Sequence, residues 1–291
     1  MISSLIAFGL WAAAGTEPTC ALSFDRVAEV SWRGRAGGGY DPLDPVERWQ
    51  NLSLTVRHEG AACSYWLAIE DLRATGERQA LAGMSALSYR LSEADGRLPR
   101  EAGVVGAQVA AGEFAAGVGS TTLNLRVTLK AGQSIPPGLY RDELVLLLFA
   151  GTVDQNEARG VTLLPLQFAV RASLEMALAA ELTGGGSLEL GDLSAGAAAT
   201  FELSLRGNAR YHLTLSSENG GFLRARTGRF ESSIPYQLRL GGRLIDGDTE
   251  IAGEAPGPLG RLLVFEVLVP PAPDALAGSY RDSLVFSVVA D

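Results

Sequence analysis

The chain has 291 residues, a net charge of −9 and a pI near 4.9. That length suits two domains of ordinary size, each able to bury its own core. The acidity sets aside polyanionic partners, so neither nucleic acid nor an anionic membrane surface is expected as a ligand.

Residues 1–14 read as a secretory signal. A short apolar core, Leu5 to Leu10, leads into Trp11 and then Ala12, Ala13 and Ala14, a small-residue cleavage pattern that would leave Gly15 as the new N-terminus. The core is too short to span a bilayer, and no other stretch reaches the roughly 18 apolar residues of a spanning helix. Export makes a disulfide the default for the two cysteines, Cys20 and Cys63. On the loop-entropy account that bridge stabilises by roughly 4 kcal/mol.

Next comes a Gly-rich loop from Trp32 through Tyr40 to Leu43, reaching on to Trp49. Period-two runs follow: Asn51 to Arg57, Tyr65 to Ile69, Leu87 to Leu91 and Leu123 to Leu129. Alternation with β-branched and aromatic residues predicts half-buried strands. Between the last two lies a long segment, Glu93 to Ser120, rich in Gly, Ala and Val and holding Val104, Val105, Val109, Phe114 and Val118. Ala115 to Val118 is the nearest thing to a helical stretch. After Gly138-Leu-Tyr-Arg-Asp-Glu-Leu-Val145, the run Arg159 to Val170 can pair with Leu144 to Phe149 across a polar turn. It either closes a first domain or opens a second. Further strands are predicted at Phe201 to Leu205, Tyr211 to Leu215, Ile234 to Leu238 and Leu262 to Leu268. Gly/Pro-rich turns between short strands point to sandwiches rather than α/β units.

The second half repeats the first. Tyr65, Tyr89 and Tyr140 are answered in the same order by Tyr211, Tyr236 and Tyr280. Gly138 to Val145 is answered by Gly278-Ser-Tyr-Arg-Asp-Ser-Leu-Val285. Two copies of one β domain are therefore expected. Nothing in the second copy answers Arg159 to Val170, so its last strand is expected to be missing.

Chemistry is sparse. His58 and His212 sit at unrelated places in the repeat, and nothing marks a nucleophile elbow. Glu70 and Asp71 are neighbours on a strand pattern and point to opposite faces, unlike a glycosidase pair. Gly37 to Gly39 and Gly184 to Gly186 precede no helical pattern, so neither reads as a phosphate loop. Asp142 and Asp282 read as structural corners. No catalytic residue, metal ligand or cofactor site is expected. Apolar loop residues of the first domain are the better functional candidates: Trp32, Tyr40, Leu43, Trp49, Val104, Val105, Val109, Phe114 and Val118.

Several pieces carry a resemblance. They are Cys20-Ala-Leu-Ser-Phe24, Tyr40-Asp-Pro-Leu43 and the strand ending near Cys63 in the first copy, Leu188-Glu-Leu-Gly-Asp-Leu-Ser-Ala-Gly196 in the second, and Gly-x-Tyr-x-Asp in both. Over residues 20–291 the chain resembles tandem spore coat protein U (SCPU) domains, the subunit fold of archaic chaperone–usher pili, and above all their two-domain tip adhesins. The resemblance implies an all-β fold of two immunoglobulin-like β-sandwich domains, 15–171 and 172–291, the second lacking its final strand. It implies a non-catalytic tip subunit serving adhesion and biofilm formation. Its partners would be a periplasmic pilus chaperone, an outer-membrane usher, an adjacent pilin subunit and a host or abiotic surface, with no nucleic acid and no cofactor. The short stretch Gly15 to Thr19 before Cys20 offers no donor strand, which would place the subunit at the fibre tip, secreted through the periplasm to the cell surface. A secreted spore-coat or matrix protein and a carbohydrate-binding module are the alternatives.

Overall fold

The computed structural model describes residues 19–25, 28–32, 34, 38–102, 106–152, 158–178, 186–227, 230–245 and 249–291. The predicted signal segment, Val104 and Val105 lie outside the described residues. Among the described residues the chain is all-β, with no helix.

The first half supplies β1 (Ala21–Phe24), β2 (Val30–Trp32), β3 (Arg48–Gly60), β4 (Cys63–Ile69), β5 (Glu77–Ala82), β6 (Ser85–Glu93), β7 (Arg100–Glu101), β8 (Ala107–Phe114), β9 (Gly117–Leu129), β10 (Gly138–Ala150) and β11 (Ala158–Val170). The second half supplies β12 (Leu174–Leu178), β13 (Ala197–Gly207), β14 (Tyr211–Ser217), β15 (Phe222–Thr227), β16 (Phe230–Pro235), β17 (Gln237–Leu240), β18 (Arg243–Ile245), β19 (Glu250–Gly253), β20 (Gly257–Val269) and β21 (Leu284–Ala290). No ladder joins the two halves among the described residues.

In the first half one layer runs β1-β3-β9-β6-β5 and the other β11-β10-β4-β8-β7. A single residue pair, Arg141 with Leu81, links them. The layers form because β3, β6, β9 and β10 alternate. On β3, Leu52, Leu54, Val56 and His58 point inward while Ser53 and Arg57 face water. Leu52 and Leu54 meet Leu67, Leu91, Leu146, Leu166 and Phe168 in one core, and Val56 joins Leu22, Tyr65 and Leu148 in a second cluster beside the cysteines. The predicted pairing across the turn after Ala150 is present: β10 and β11 are antiparallel, Leu144 opposite Leu164. The outer edge of β11 is itself covered by β2, in parallel, with Trp32 opposite Phe168.

Among the described residues the long segment Glu93 to Ser120 holds no helical turn. It folds as β7, β8 and the start of β9. It also explains why β4 is buried on both faces from Tyr65 to Ile69. On the outer face Trp66 stacks on Phe149, ring centroids 4.0 Å apart, with Ala102 packed over them. Cys20 and Cys63 are bonded, their Cα atoms 6.1 Å apart, which ties the start of β1 to the start of β4.

The second half repeats the layers with fewer strands: β12-β13-β20-β17-β18 faces β19-β14-β21. Phe201, Phe265 and Phe286 meet in its core, Phe201 stacked on Phe265 and Phe286 edge-on to both. The bridge between Arg281 and Arg224 stands where Arg141 and Leu81 stand in the first half.

One buried amide joins the halves. Asn208 is 5% exposed, and its side chain accepts from Ser173 N (2.8 Å) while its NH2 donates to Ile135 O and Arg171 O (3.0 Å each). Both of its donors are thereby satisfied. Beside it Asp41 accepts from the Ser173 hydroxyl (2.8 Å) and pairs with Arg171. Burial alone would raise the pKa of Asp41, but the Ser173 hydroxyl, the Leu43 amide and Arg171 outweigh it and hold the carboxyl below its ordinary range.

Candidate functional site

The repeated Gly-x-Tyr-Arg-Asp motif builds the same corner twice. Tyr140 donates its hydroxyl to Pro136 O (3.0 Å) and Tyr280 donates to Leu276 O (2.8 Å), each four residues upstream. That is the tyrosine corner of immunoglobulin-like sandwiches. Two residues on, Asp142 accepts from Tyr89 and from Arg78 Nε (2.9 Å), and its counterpart Asp282 accepts from Tyr236, the Ser217 hydroxyl (2.6 Å) and Asn219 N (2.9 Å). Burial, reinforced by the carboxylate, pushes both the Tyr89 and the Tyr236 hydroxyl well up. They stay protonated donors, so these clusters are clasps within the fold.

Beyond their corners the two halves differ. In the first half β10 is paired on both edges: with β5 and β4 on one, with β11 on the other. β11 also packs against β1. In the second half β21 pairs with β14, from Ser217 opposite Leu284 to Tyr211 opposite Ala290, and the chain just ahead of it bridges to β15 at Arg281. Its other edge has no partner among the described residues. The counterparts of β1 and β10 are β12 and β21. The lane between them, filled by β11 in the first half, holds no described strand.

Burial records the vacancy. Leu144, Leu146 and Leu148 are all at 0% exposure, while their counterparts Leu284, Phe286 and Val288 are only half-buried. Across the lane Leu174 and Met176 are half-buried and Leu178 is exposed. Free N–H and C=O groups along β21 beside these apolar side chains can take one more strand by backbone pairing.

The apolar residues singled out in the first half are not brought together. Trp32 (6% exposed), Tyr40 (4%) and Val109 (1%) are in the core. Trp32 packs on Phe168 from β2, the Tyr40 hydroxyl donates to Lys130 O (2.8 Å), and Val109 is an inward residue of β8. None of the three presents a surface, which corrects the expectation that they line binding loops. Leu43 is half-buried beside the junction. Phe114 is half-buried, stacked on His58 with centroids 4.9 Å apart. Trp49 is 57% exposed, with the Arg126 guanidinium 4.4 Å from its ring, and Val118 is 88% exposed. On the β3–β9 ladder Trp49 faces Thr128 and Val118 faces Glu59. Ten residues of extended chain separate them, roughly 33 Å. Trp49 lies toward the Asn208 junction and Val118 at the far end.

That far end holds what loop composition did not reveal. The β3–β4 turn, with Ala61 and Ala62, meets the β8–β9 turn, with Ala115, Ala116 and Val118; of these all but Ala61 are exposed. Alanines carry little signal in a sequence. Only the ladders show that the two turns share one end, with Gly60 opposite Gly117 and Cys63 opposite Phe114.

His212 lies on β14 with its ring nitrogens at Glu250 and Asp291, the latter 2.9 Å away. His58 is buried under Phe114.

No family model and no curated protein matches the chain. Solved structures that are similar in arrangement include a chain of the CsuC–CsuE chaperone–tip subunit pre-assembly complex of archaic chaperone–usher Csu pili from Acinetobacter baumannii (11% identity, 93% of this chain and 99% of that one, TM-score 0.45). Two others are the CupB6 tip adhesin of Pseudomonas aeruginosa (10%, 93% of each chain, 0.40) and CfaE, the adhesive subunit of CFA/I fimbria of enterotoxigenic Escherichia coli (9%, 78% and 81%, 0.42).

Proposed function

We propose that this chain is a two-domain, non-catalytic adhesin of an archaic chaperone–usher pilus, with its first domain exposed at the fibre tip and its second completed by a strand from another subunit. The observation that carries this reading is the open lane beside β21, set against the same lane filled by β11 in the first half. A sheet that ends on a strand with one edge unpaired among the described residues, over half-buried Leu284, Phe286 and Val288, is an association surface. The repeated SCPU-like motifs support the same reading. A periplasmic chaperone would occupy the lane before assembly at the usher, and an adjacent pilin's strand afterwards. The first domain needs no such partner, because its lane is filled from its own chain. Its far end, with Ala62, Ala115, Ala116 and Val118, is the part free to meet a host or abiotic surface. The domains would divide at residues 171 and 172, next to the Asn208 junction.

The test is immunogold microscopy of the source cells with antibodies raised to the first half. Label at fibre ends is the expected result. Label spread through a wall or coat layer, or cells without fibres, would overturn the assignment in favour of a structural coat protein.

A further inference from the structure

His58 has a polar atom with nothing to do. The residue is 2% exposed, on the inward face of β3 opposite Leu22. Its Nε2 lies 2.8 Å from Ala61 O. A carbonyl can only accept, so Nε2 carries the hydrogen and Nδ1 of the neutral ring carries a bare lone pair. That Nδ1 is buried and has no hydrogen-bond partner. A buried acceptor left without a partner is costly, so this one calls for an explanation. The nearest chemistry is sulfur. A ring nitrogen of His58 and the sulfurs of Cys20 and Cys63 all lie within 4.8 Å of one another. The Phe114 ring stacks on the imidazole, while Cys20 and Cys63 are half-buried, so the cluster is open on the sulfur side.

We infer that the Cys20–Cys63 bridge is the oxidised form of a metal site, and that the reduced chain binds one zinc-like cation through both thiolates and His58. The ligand set is two sulfurs and one imidazole, with a fourth tetrahedral position left for water. Zinc–sulfur bonds of about 2.3 Å at a tetrahedral angle hold two thiolates about 3.8 Å apart. The Cα separation of 6.1 Å lets the side chains reach that spacing by rotation, without moving β1 or β4. The hydrogen bond from Nε2 to Ala61 O fixes the tautomer and leaves Nδ1 as the atom open to a metal, the usual outer support of a metal-bound histidine. Two steps connect the states. A dithiol reductant transfers two electrons and two hydrogens to the disulfide, giving two thiols and its own cyclic disulfide. The divalent cation then displaces both thiol protons, so two protons are released per ion bound. Bridge and cation exclude each other, because a disulfide sulfur has no thiolate charge to offer.

The test uses the full chain, reduced without air by a water-soluble phosphine, which takes up the disulfide's oxidising equivalents as phosphine oxide. Co2+ is the probe. The expected result is one Co2+ per chain with a thiolate-to-cobalt charge-transfer band, two protons released, and displacement by Zn2+. His58→Gln should weaken binding by at least about tenfold, and a Cys20→Ser, Cys63→Ser double variant should show no band. Circular dichroism follows the sheet throughout. A reduced chain that keeps its sheet but shows no band overturns the inference. So does a band undiminished in His58→Gln, or loss of the sheet on reduction.

Discussion

A copy of residues 152–170 joined after Asp291, which stands where Gly151 stands in the first half, should close the second half. In the first half this segment turns back along β10 and sets Leu164, Leu166, Phe168 and Val170 into the core. The graft would offer the same four side chains to β21. On the acceptor side Leu284, Phe286 and Val288 would pass from half-buried to buried, as Leu144, Leu146 and Leu148 are. Complete burial of such a side chain contributes about 1.5–3 kcal/mol, so the second half of that process is worth roughly 1 kcal/mol each, or roughly 3 kcal/mol in all. The donor's own burial and ladder bonds are offset by the cost of ordering it. For a unit of this size the gain corresponds to a rise of about 10 °C in its melting temperature. Differential scanning calorimetry reads it as an upward move of the lower of two transitions. A second graft with the copies of Leu164, Leu166 and Phe168 changed to Ser should give no rise. Equal shifts from both grafts, or none from either, would refute the open-lane reasoning.

Asp142→Ala strands the Arg78 guanidinium, whose side chain is 18% exposed, and the buried Tyr89 hydroxyl; a loss of about 3 kcal/mol in urea unfolding is expected. Asp282→Ala leaves neutral partners on a more open edge and should cost about 1–2 kcal/mol. The Asp41 carboxyl is held below its unfolded value of 3.8, so its contribution to the junction is complete above that pH and fades as pH falls through the lower, folded value. Acid should therefore increase proteolysis near Arg171, and Ser173→Ala should move that onset to higher pH. Val118→Asp, at a side chain 88% exposed, should leave stability within about 0.5 kcal/mol while weakening retention on polystyrene; unchanged retention would remove the far end as the contact surface.

Much of this architecture is legible in the chain because strands announce themselves locally. Leu52, Leu54 and Val56 alternate with polar neighbours, and the turn after Ala150 is flanked by two apolar runs that can pair with each other. The Tyr140 and Tyr280 corners are local too, each bond spanning four residues, but the repeat alone points to Asp142 and Asp282 as the corner residues. What sequence reading misplaced is non-local. Trp32 sits in a strand of three residues, too short to show a period, and is buried only because β2 lies against β11. Tyr40 follows a run of glycines and looks like a loop residue, yet its hydroxyl is held by Lys130, ninety residues on. The Asn208 junction joins four separate stretches, and no one of them signals it. The far-end turns are made of alanines, and only the ladder of β3 with β9 brings them together.

The way the chain leaves the first half governs how it bears tension. A pull between the far end and the second half enters through Val170, at the end of β11, and acts along that strand's axis. β11 is bonded to β10 from Gly138 to Phe149 on one side and to β2 on the other. Force along the axis loads these bonds together, in shear, instead of opening them one at a time like a zipper. Asn208 and Ser173 grip the exit point, so the strand cannot easily be swung aside and peeled. The seal that completes the first half is thus also its tether, in the geometry that resists rupture best.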